Sequence, residues 1–408
     1  MAGPSANPRV AIVGAGPVGM VCALALNRRG IAVTVFEQAP AAVQDQRAAS
    51  LHPPTLEMLD DLGVTKKIIP LGLVSTTYRF HDRVTNSVIA EFDLGRMRDE
   101  FRFPFVLQYE QYKLTASIAA QCAGSGNFEV LFSHCVTGLN ESADGILVEI
   151  DSPAGKQSMR AAYIIGCDGG RSTVRRLANI AFEGFTYPER FIKIATDFSF
   201  EAVNSDLVLR NYFSDPDEWC NLFKVRGERP EGLWRAIFPV SIDEDTESAL
   251  SADHIEARLQ KFFPKAGRYQ LEYVNVYDVH QRVAATFRKG RVLLAGDAAH
   301  VNNPIGGMGM NGGIHDGINL ADKLSRIITG EAEEDLLNLY DRQRRHAAVT
   351  HVQAQTIANK RLMEERDPAV RKNNFDELRR TADDPEAARR YMRRAALLDS
   401  LWDAAAMT

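Results

Sequence analysis

Cysteine is scarce in this 408-residue chain: Cys22, Cys122, Cys135, Cys167 and Cys220 are odd in number, scattered and never arranged as CxxC. That speaks against a disulfide framework and offers no zinc-ligand spacing. No metal site is expected, and each cysteine reads as a small buried residue in a reducing, cytoplasmic compartment. A strong excess of either charge is missing too. The net charge of −5 argues against nonspecific nucleic-acid binding. The run Val10–Leu26 is apolar, but its glycines and Pro17 suit a turn better than a membrane span, so none is expected. Met1–Arg9 has no apolar core and does not read as a signal peptide. Internal repeats and low-complexity tracts are absent.

What remains is ordinary globular material, 45% hydrophobic and 25% charged, long enough for two to three domains. The chain is organised around Arg9–Glu37. Val10–Val13 reads as a buried strand, Gly14-Ala15-Gly16-Pro17-Val18-Gly19 as a turn, Met20–Arg29 as a helix capped by Gly30, and Ile31–Phe36 as a second strand closed by Glu37. This is the order a dinucleotide fold requires. Gly14 permits the tight turn, Gly16 lets the backbone approach a pyrophosphate, and Gly19 lets helix and strand pack closely. The helix N-terminus offers unpaired N–H groups to phosphate. Glu37 can accept from a ribose hydroxyl, which disfavours a 2′-phosphate.

Further along, Gln38–Gln46 reads as a polar loop. Pro53–Gly63 reads as a helix and Tyr78–Leu94 as a hairpin turning at Thr85-Asn86-Ser87. Phe103–Leu107 is expected as a strand, Gln108–Cys122 as a helix, and Phe128–Phe132, Gly145–Asp151 and Met159–Ile165 as strands. From Phe191 to Val240 the texture turns aromatic, indicating a mostly antiparallel sheet. A helix over Asp253–Phe263, strands over Tyr273–Val283 and Arg291–Ala295, and a glycine-rich loop into a helix ending near Gly330 follow. Beyond Glu331 the chain reads as helical, with interleaved acids and arginines on a solvated face.

Two more constellations carry chemistry. Ile164–Arg175 is a strand running into Asp168-Gly169-Gly170, with Ser172 and two arginines. Asp168 can accept from a ribose hydroxyl or from a backbone N–H, and Ser172 can cap the following helix. Gly290–His300 is a strand ending in Gly296-Asp297, followed by Pro304, Gly306, Gly307, Gly309, Asn311, Gly312 and Gly313 before a helix. So many glycines bring bare N–H groups against something flat and anionic. Asp297 is placed to bind a polyol chain. His300 reads as a packed, hydrogen-bonded histidine.

The stretches GAGPVG, CDGGRSTVR and GDAAH…P…GMGMN, in this order, resemble the class A flavoprotein aromatic hydroxylases of the 4-hydroxybenzoate 3-hydroxylase type, over residues 8–330. The resemblance implies an α/β fold: a Rossmann-like FAD-binding domain of residues 1–75, 101–185 and 275–330, and a mostly antiparallel substrate-binding sheet of residues 76–100 and 186–274. Residues 331–408 would form a helical region. It implies FAD held without a covalent link, NADH or NADPH as a transient co-substrate, and O2. Gly14, Gly16, Pro17, Val18 and Gly19 would hold the pyrophosphate, Glu37 the adenosine ribose, and Val136 would touch the adenine side by its backbone. Arg47 matches the mobile-flavin arginine, with Leu51, Leu56 and Leu59 following in the family's pattern. Gln111 fits the polar flavin contact, with Gln108 as the alternative register. Asp168 would serve FAD and the NAD(P)H approach and Asp297 the ribityl chain. Gly309, Met310 and Asn311 would meet the pyrimidine edge, and Pro304 would sit beside the reacting carbon. The activity implied is hydroxylation of a small electron-rich phenol, hydroxybenzoate or hydroxypyridine through a flavin C4a-hydroperoxide, with a base or relay to deprotonate the substrate.

Substrate residues are expected from the aromatic sheet. His280, Arg235 and Tyr212 are candidates for catalysis beside Pro304. Asn221, Arg210 and Phe223 are candidates for substrate contact, with His81 behind them. Arg235 can grip a carboxylate in two-pronged fashion. No WxWxIP stretch of flavin halogenases occurs; the nearest is Trp234-Arg235-Ala236-Ile237-Phe238-Pro239. No room is expected for a thioredoxin-like C-terminal domain. The motifs bind cofactor and not substrate, so a dearomatising oxygenase, a reductase or dehydrogenase, and a noncatalytic FAD-binding redox sensor stay open. A monomer or a homodimer fits equally.

Overall fold

A computed structural model describes residues 9–44 and 47–408. The stretch Met1–Pro8 and the last two residues of the expected loop Gln38–Gln46 lie outside the described residues. Arg9–Val13, all but its first residue buried, sits at the heart of a six-stranded sheet. The order is Arg288–Lys289, Val292–Leu294, Tyr163–Gly166, Arg9–Val13, Ala32–Glu37, Phe128–Phe132, and every pair is parallel except the outermost, Arg288–Lys289 with Val292–Leu294. Its four inner strands are buried on both faces and read as nearly continuous runs rich in β-branched residues, without polar alternation. Helices Pro17–Arg28 and Met308–Ile328 pack on it. They approach closely because Gly313 and Gly317 face Val18 and Cys22: a Cβ on Gly313 would lie 2.6 Å from Val18 Cγ2.

The second sheet has eight strands, ordered His300–Val301, Leu271–Ala284, Phe182–Thr196, Leu233–Val240, Cys220–Val225, Arg210–Ser214, Thr77–Asp82, Ser87–Asp93. Only Arg210–Ser214 and Thr77–Asp82 pair in parallel. One face packs on helix Ala252–Phe262 through Phe213, Leu222, Phe238, Ile255 and Leu259. The other face carries Tyr78, Phe80, Tyr212 and Ile237 and meets Ile305, Met363 and Met392. The expected boundaries at 185/186 and 274/275 both fall inside strands of this sheet, Phe182–Thr196 and Leu271–Ala284, which pair with each other along most of their length.

Three smaller differences have local causes. The expected strand Met159–Ile165 is two strands meeting at Ala162: Gly155–Ala161 closes an antiparallel meander with Gly145–Ser152 and Cys135–Ser142, and Tyr163–Gly166 enters the parallel sheet. The expected strand over Phe103–Leu107 is Val106–Gln108, and the helix starts at Gln111, not Gln108, because Gln108 still pairs with Ser50 and Leu73. The charge-rich helices Pro368–Asp383, Pro385–Ala395 and Leu398–Ala406 are docked and not solvated all round. Arg371 ion-pairs with Asp82, and Arg389 and Arg393 converge on Glu100.

Candidate active site

The first glycine turn is built as its spacing requires. Gly14 has φ +103°, and a Cβ there would fall 2.4 Å from the Cys167 carbonyl oxygen. A Cβ on Gly19 would meet the Gly14 carbonyl oxygen at 2.0 Å. Gly16 differs: nothing lies within 4 Å of its Cβ position, so its backbone borders open space. Pro17 and Val18 open the helix, which carries no side-chain cap and leaves its first N–H groups for an anion. Glu37 accepts from Ala15 N–H and Ala39 N–H, each at 2.9 Å, clamping the turn to the second strand.

Asp168 does two things. Its Oδ2 accepts from Thr173 N–H at 2.6 Å and Val174 N–H at 3.1 Å, while its Oδ1 is buried without a partner. Ser172 caps the same helix by accepting from Arg175 N–H. Arg175 then donates to the Ala298 and Gly170 carbonyls, tying this turn to the Gly296-Asp297 turn. Gly296 has φ +63°, and a Cβ there would fall 2.8 Å from Val18 Cγ2. Its N–H donates to Asp316 Oδ2 at 3.0 Å; that carboxylate also takes His300 Nε2 at 2.8 Å and Arg344 Nε at 2.7 Å. Burial alone would raise the Asp316 carboxyl, but the neighbouring charges of His300 and Arg344 outweigh it and hold the group below the usual carboxylate range. His300 is thus a packed, hydrogen-bonded histidine.

Three turns and two uncapped helix N-termini, those of Pro17–Arg28 and Met308–Ile328, therefore converge. An orphaned carboxylate oxygen, the open space at Gly16 and bare helix ends fit a dinucleotide with polyol and pyrophosphate parts. Asp297 is half-buried in its turn. Gly309 and Met310 lie in the first helical turn after Gly307. The Asn311 side chain accepts from His52 N–H at 2.9 Å and donates to the Ser50 and Gly307 carbonyls. Arg47 is exposed in the bend before Ser50. Gln111 is buried at the start of its helix, its N–H on the Ala48 carbonyl. Gln108 is fully buried and accepts from Ser50 Oγ. Val136 is buried in the meander opposite Ile150.

Between the Ile305–Met308 turn and the eight-stranded sheet lies a largely apolar cavity. Arg210 and Tyr212 line it, and Arg210 Nη2 donates to Tyr212 Oη at 2.9 Å. The guanidinium lies 5.3 Å from the Tyr78 ring centre. Asn221, Phe223 and Arg235 share the Arg210–Tyr212 face, since Arg210 pairs with Phe223, Tyr212 with Asn221 and Phe223 with Arg235, but they do not line the cavity. Pro304 is half-buried; its carbonyl accepts from Gly307 N–H and closes the turn.

His280 is a correction. It alternates with Tyr277, Val279 and Gln281, which face the cavity side, and so points to the opposite face, where it hydrogen-bonds Thr186 at 2.9 Å. His81 is also on the far face, stacked on Phe213 at 4.4 Å and bonded to Asn211; burial lowers its pKa to about 4.

Sequence reasoning missed His52, Tyr78, Asn359, Met363, Tyr391 and Met392, all of which line the cavity. Tyr78 was readable, since it shares the alternation of Phe80 on the hairpin. His52 carried one signal, its place between Leu51 and the Pro53-Pro54 helix start.

Residues 7–355 match the family described as FAD binding domain, and the chain belongs to this family. It is a class A FAD-dependent aromatic monooxygenase, a flavoprotein that uses NAD(P)H and O2. It is 32% identical over 371 residues to para-nitrophenol 4-monooxygenase of Pseudomonas sp. (strain WBC-3), covering 89% of each chain. The crystal structure of p-nitrophenol 4-monooxygenase PnpA from Pseudomonas putida DLL-E4 superposes with a TM-score of 0.89 at 30% identity, over 95% of this chain and 98% of that one. The chain is 31% identical to 3-(3-hydroxy-phenyl)propionate/3-hydroxycinnamic acid hydroxylase of Mycolicibacterium smegmatis over 86% of its own length, but spans only 60% of that relative. Among the described residues, no helix is long and apolar enough to cross a membrane.

Proposed function

We propose that the chain hydroxylates a small, single-ring phenol or hydroxypyridine held in the Arg210–Tyr212 cavity. The observation that carries this is the cavity itself: mostly apolar walls and one buried cation whose neighbour is a tyrosine hydroxyl. Apolar walls with a few aimed polar groups suit an aromatic ring bearing one oxygen. FAD, when bound, supplies the oxidising chemistry from NAD(P)H and O2.

In this reading the chain's own residues bind, orient and exclude water. Gly14, Gly16, Gly19 and the helix start hold the pyrophosphate, Glu37 and Val136 lie on the adenosine side, and Asp168 and Asp297 take the sugar and polyol hydroxyls. Gly309, Met310, Asn311, Gln111 and Arg47 border the flavin ring. Arg210 polarises the Tyr212 hydroxyl toward the substrate oxygen, and Phe80, Leu94 and Met363 keep the ring dry. Asn221, Phe223 and Arg235 continue this face outside the cavity. The split into residues 1–75, 101–185 and 275–330 for cofactor and 76–100 and 186–274 for substrate follows, with the strands Phe182–Thr196 and Leu271–Ala284 bridging the two. Five unpaired cysteines, three of them buried, suit a cytoplasmic protein, acting as a monomer or homodimer.

The test is NAD(P)H consumption by the flavin-loaded protein in air, across phenols, hydroxybenzoates and hydroxypyridines, with peroxide followed alongside. One compound that stimulates oxidation with little peroxide is the expected result. Stimulation by none of them, with flavin bound, refutes the reading.

A further inference from the structure

We propose that His52 accepts the hydroxyl proton of the aromatic substrate. The inference rests on reading the Arg210–Tyr212 cavity as the substrate site.

Four observations carry it. The backbone of His52 is fixed: its N–H donates to Asn311 Oδ1, and the same amide grips the Ser50 carbonyl two residues earlier. The ring is 2% exposed and lines the cavity; among the described residues neither Nδ1 nor Nε2 makes a well-aligned hydrogen bond, and the Gly306 backbone is the polar neighbour of one of them. A buried polar group without a partner is costly, so an imidazole with at least one nitrogen left for the cavity is poised for a ligand. Its Nε2 lies 3.5 Å from where a Cβ on Gly307 would stand, against the turn that opens helix Met308–Ile328. A side chain there sits at the junction of the flavin-bordering turn and the substrate cavity.

Arg210 is the charged side chain lining its cavity. Arg210 faces it from the sheet and His315 from the helix, the latter hydrogen-bonded to Thr55, and the hydroxyls of Tyr78, Tyr212 and Tyr391 share the cavity. Among the described residues, no carboxylate lines it. Burial first, then the charge of Arg210, hold the His52 pKa well below the ordinary histidine value, against a smaller opposing contact with the Gly306 backbone; burial pushes His315 itself down to about 3. The ring is therefore neutral in the empty cavity, with a lone pair free. In the step itself the substrate O–H bond breaks and an N–H bond forms on His52. The electron pair stays on oxygen, and the resulting phenolate lies between the imidazolium, Arg210 and the Tyr212 hydroxyl. A cation that is costly alone becomes half of a compensated pair. The ring gains the electron density that attack on an electrophilic oxygen requires.

The probe is 4-nitrophenol, whose ionisation is visible by absorbance, titrated into the FAD-loaded protein without NAD(P)H. At a pH where the free probe is un-ionised, wild type is expected to bind it as the phenolate. His52→Gln keeps a polar side chain but takes no proton. It should bind the probe un-ionised, with its ionisation on the protein displaced upward by at least one pH unit and affinity within about tenfold. The low-pH limb of kcat, which reports the bound complex, should move the same way. Arg210→Met should weaken binding instead. Ionised probe on His52→Gln, as on wild type, overturns the proposal; so does un-ionised probe on wild type, a test that needs no variant. If His52→Gln does not fold with flavin, His52→Ala with added imidazole should restore the phenolate signal, and failure to restore it counts against the proposal. A wild type that binds no probe while retaining flavin removes the cavity reading itself, a result distinct from the others.

Discussion

Asp316 is the residue on which the cofactor side of the molecule most visibly depends, and Asp316→Asn tests that dependence. The carboxylate is fully buried and takes three donors: the Gly296 N–H, His300 Nε2 and Arg344 Nε. An amide keeps the shape but loses the charge and leaves the buried Arg344 guanidinium uncompensated. Removing one partner of a buried ion pair costs about 3–5 kcal/mol. At about 1.4 kcal/mol per tenfold, that lowers the folding constant on the order of a hundredfold to a few thousandfold. Urea unfolding followed by fluorescence should place the variant's midpoint lower with an unchanged slope. Adding Arg344→Met should return part of the loss, because the stranded cation goes with it. The pH dependence has a definite sign. The folded-state pKa of Asp316 is depressed, so its contribution is complete above the unfolded aspartate value and fades as pH falls through the folded value. The gap between wild type and variant should therefore be constant near neutrality and close in acid. A neutral-pH loss under about 1 kcal/mol, or a gap that widens in acid, would refute the reasoning.

Three other expectations follow from the same geometry. Gly16→Ala should leave stability within about 0.5 kcal/mol, since its Cβ meets nothing, while weakening FAD; Gly19→Ala should lose about 1–3 kcal/mol through collision with the Gly14 carbonyl, and equal unfolding midpoints would contradict the distinction. Asp297→Ala should remain folded but lose most bound flavin, measured by the 450 nm absorbance of the purified protein against its circular dichroism; full flavin content would count against the polyol contact. Glu100→Gln should release Arg389 and Arg393, cost about 1 kcal/mol and loosen the helix that carries Tyr391 and Met392. The readout is the share of oxidised NAD(P)H that ends as peroxide, expected to rise, and unchanged coupling would dismiss that helix as a cavity wall.

The cofactor half was legible because its constraints are local. A strand, a glycine turn and a helix within about twenty residues have few solutions, and Gly14 and Gly19 occupy positions where any side chain would strike backbone. The substrate half was only partly legible. Arg210 and Tyr212 were readable as polar groups in an aromatic strand. His280 was misplaced because a polar residue in an aromatic-rich sheet looks like a site group, whereas in this strand Val279, Gln281 and Val283 are the buried residues and Asp278, His280 and Arg282 face outward. His52 escaped because its partners, Asn311 and Arg210, are 259 and 158 positions away. The terminal helices read correctly as helical with a solvated face, but their docked face was not legible because its arginines look like surface charge; Arg371, Arg389 and Arg393 reach acids on the Thr77–Asp82 strand and beside the hairpin.

One wall of the cavity comes from Asn359, Met363, Tyr391, Met392, Ala395 and Ala396, all of which leave the ribosome after the three cofactor turns. The same late segment also holds the cofactor turn: the Asn359 side chain donates to the Ile305 carbonyl, and Leu397 packs on Met308 where the following helix begins. One stretch of chain thus completes both the roof of the aromatic chamber and the last of the flavin-bordering turns. Selectivity for the ring and a settled cofactor turn arrive together in synthesis, last of all.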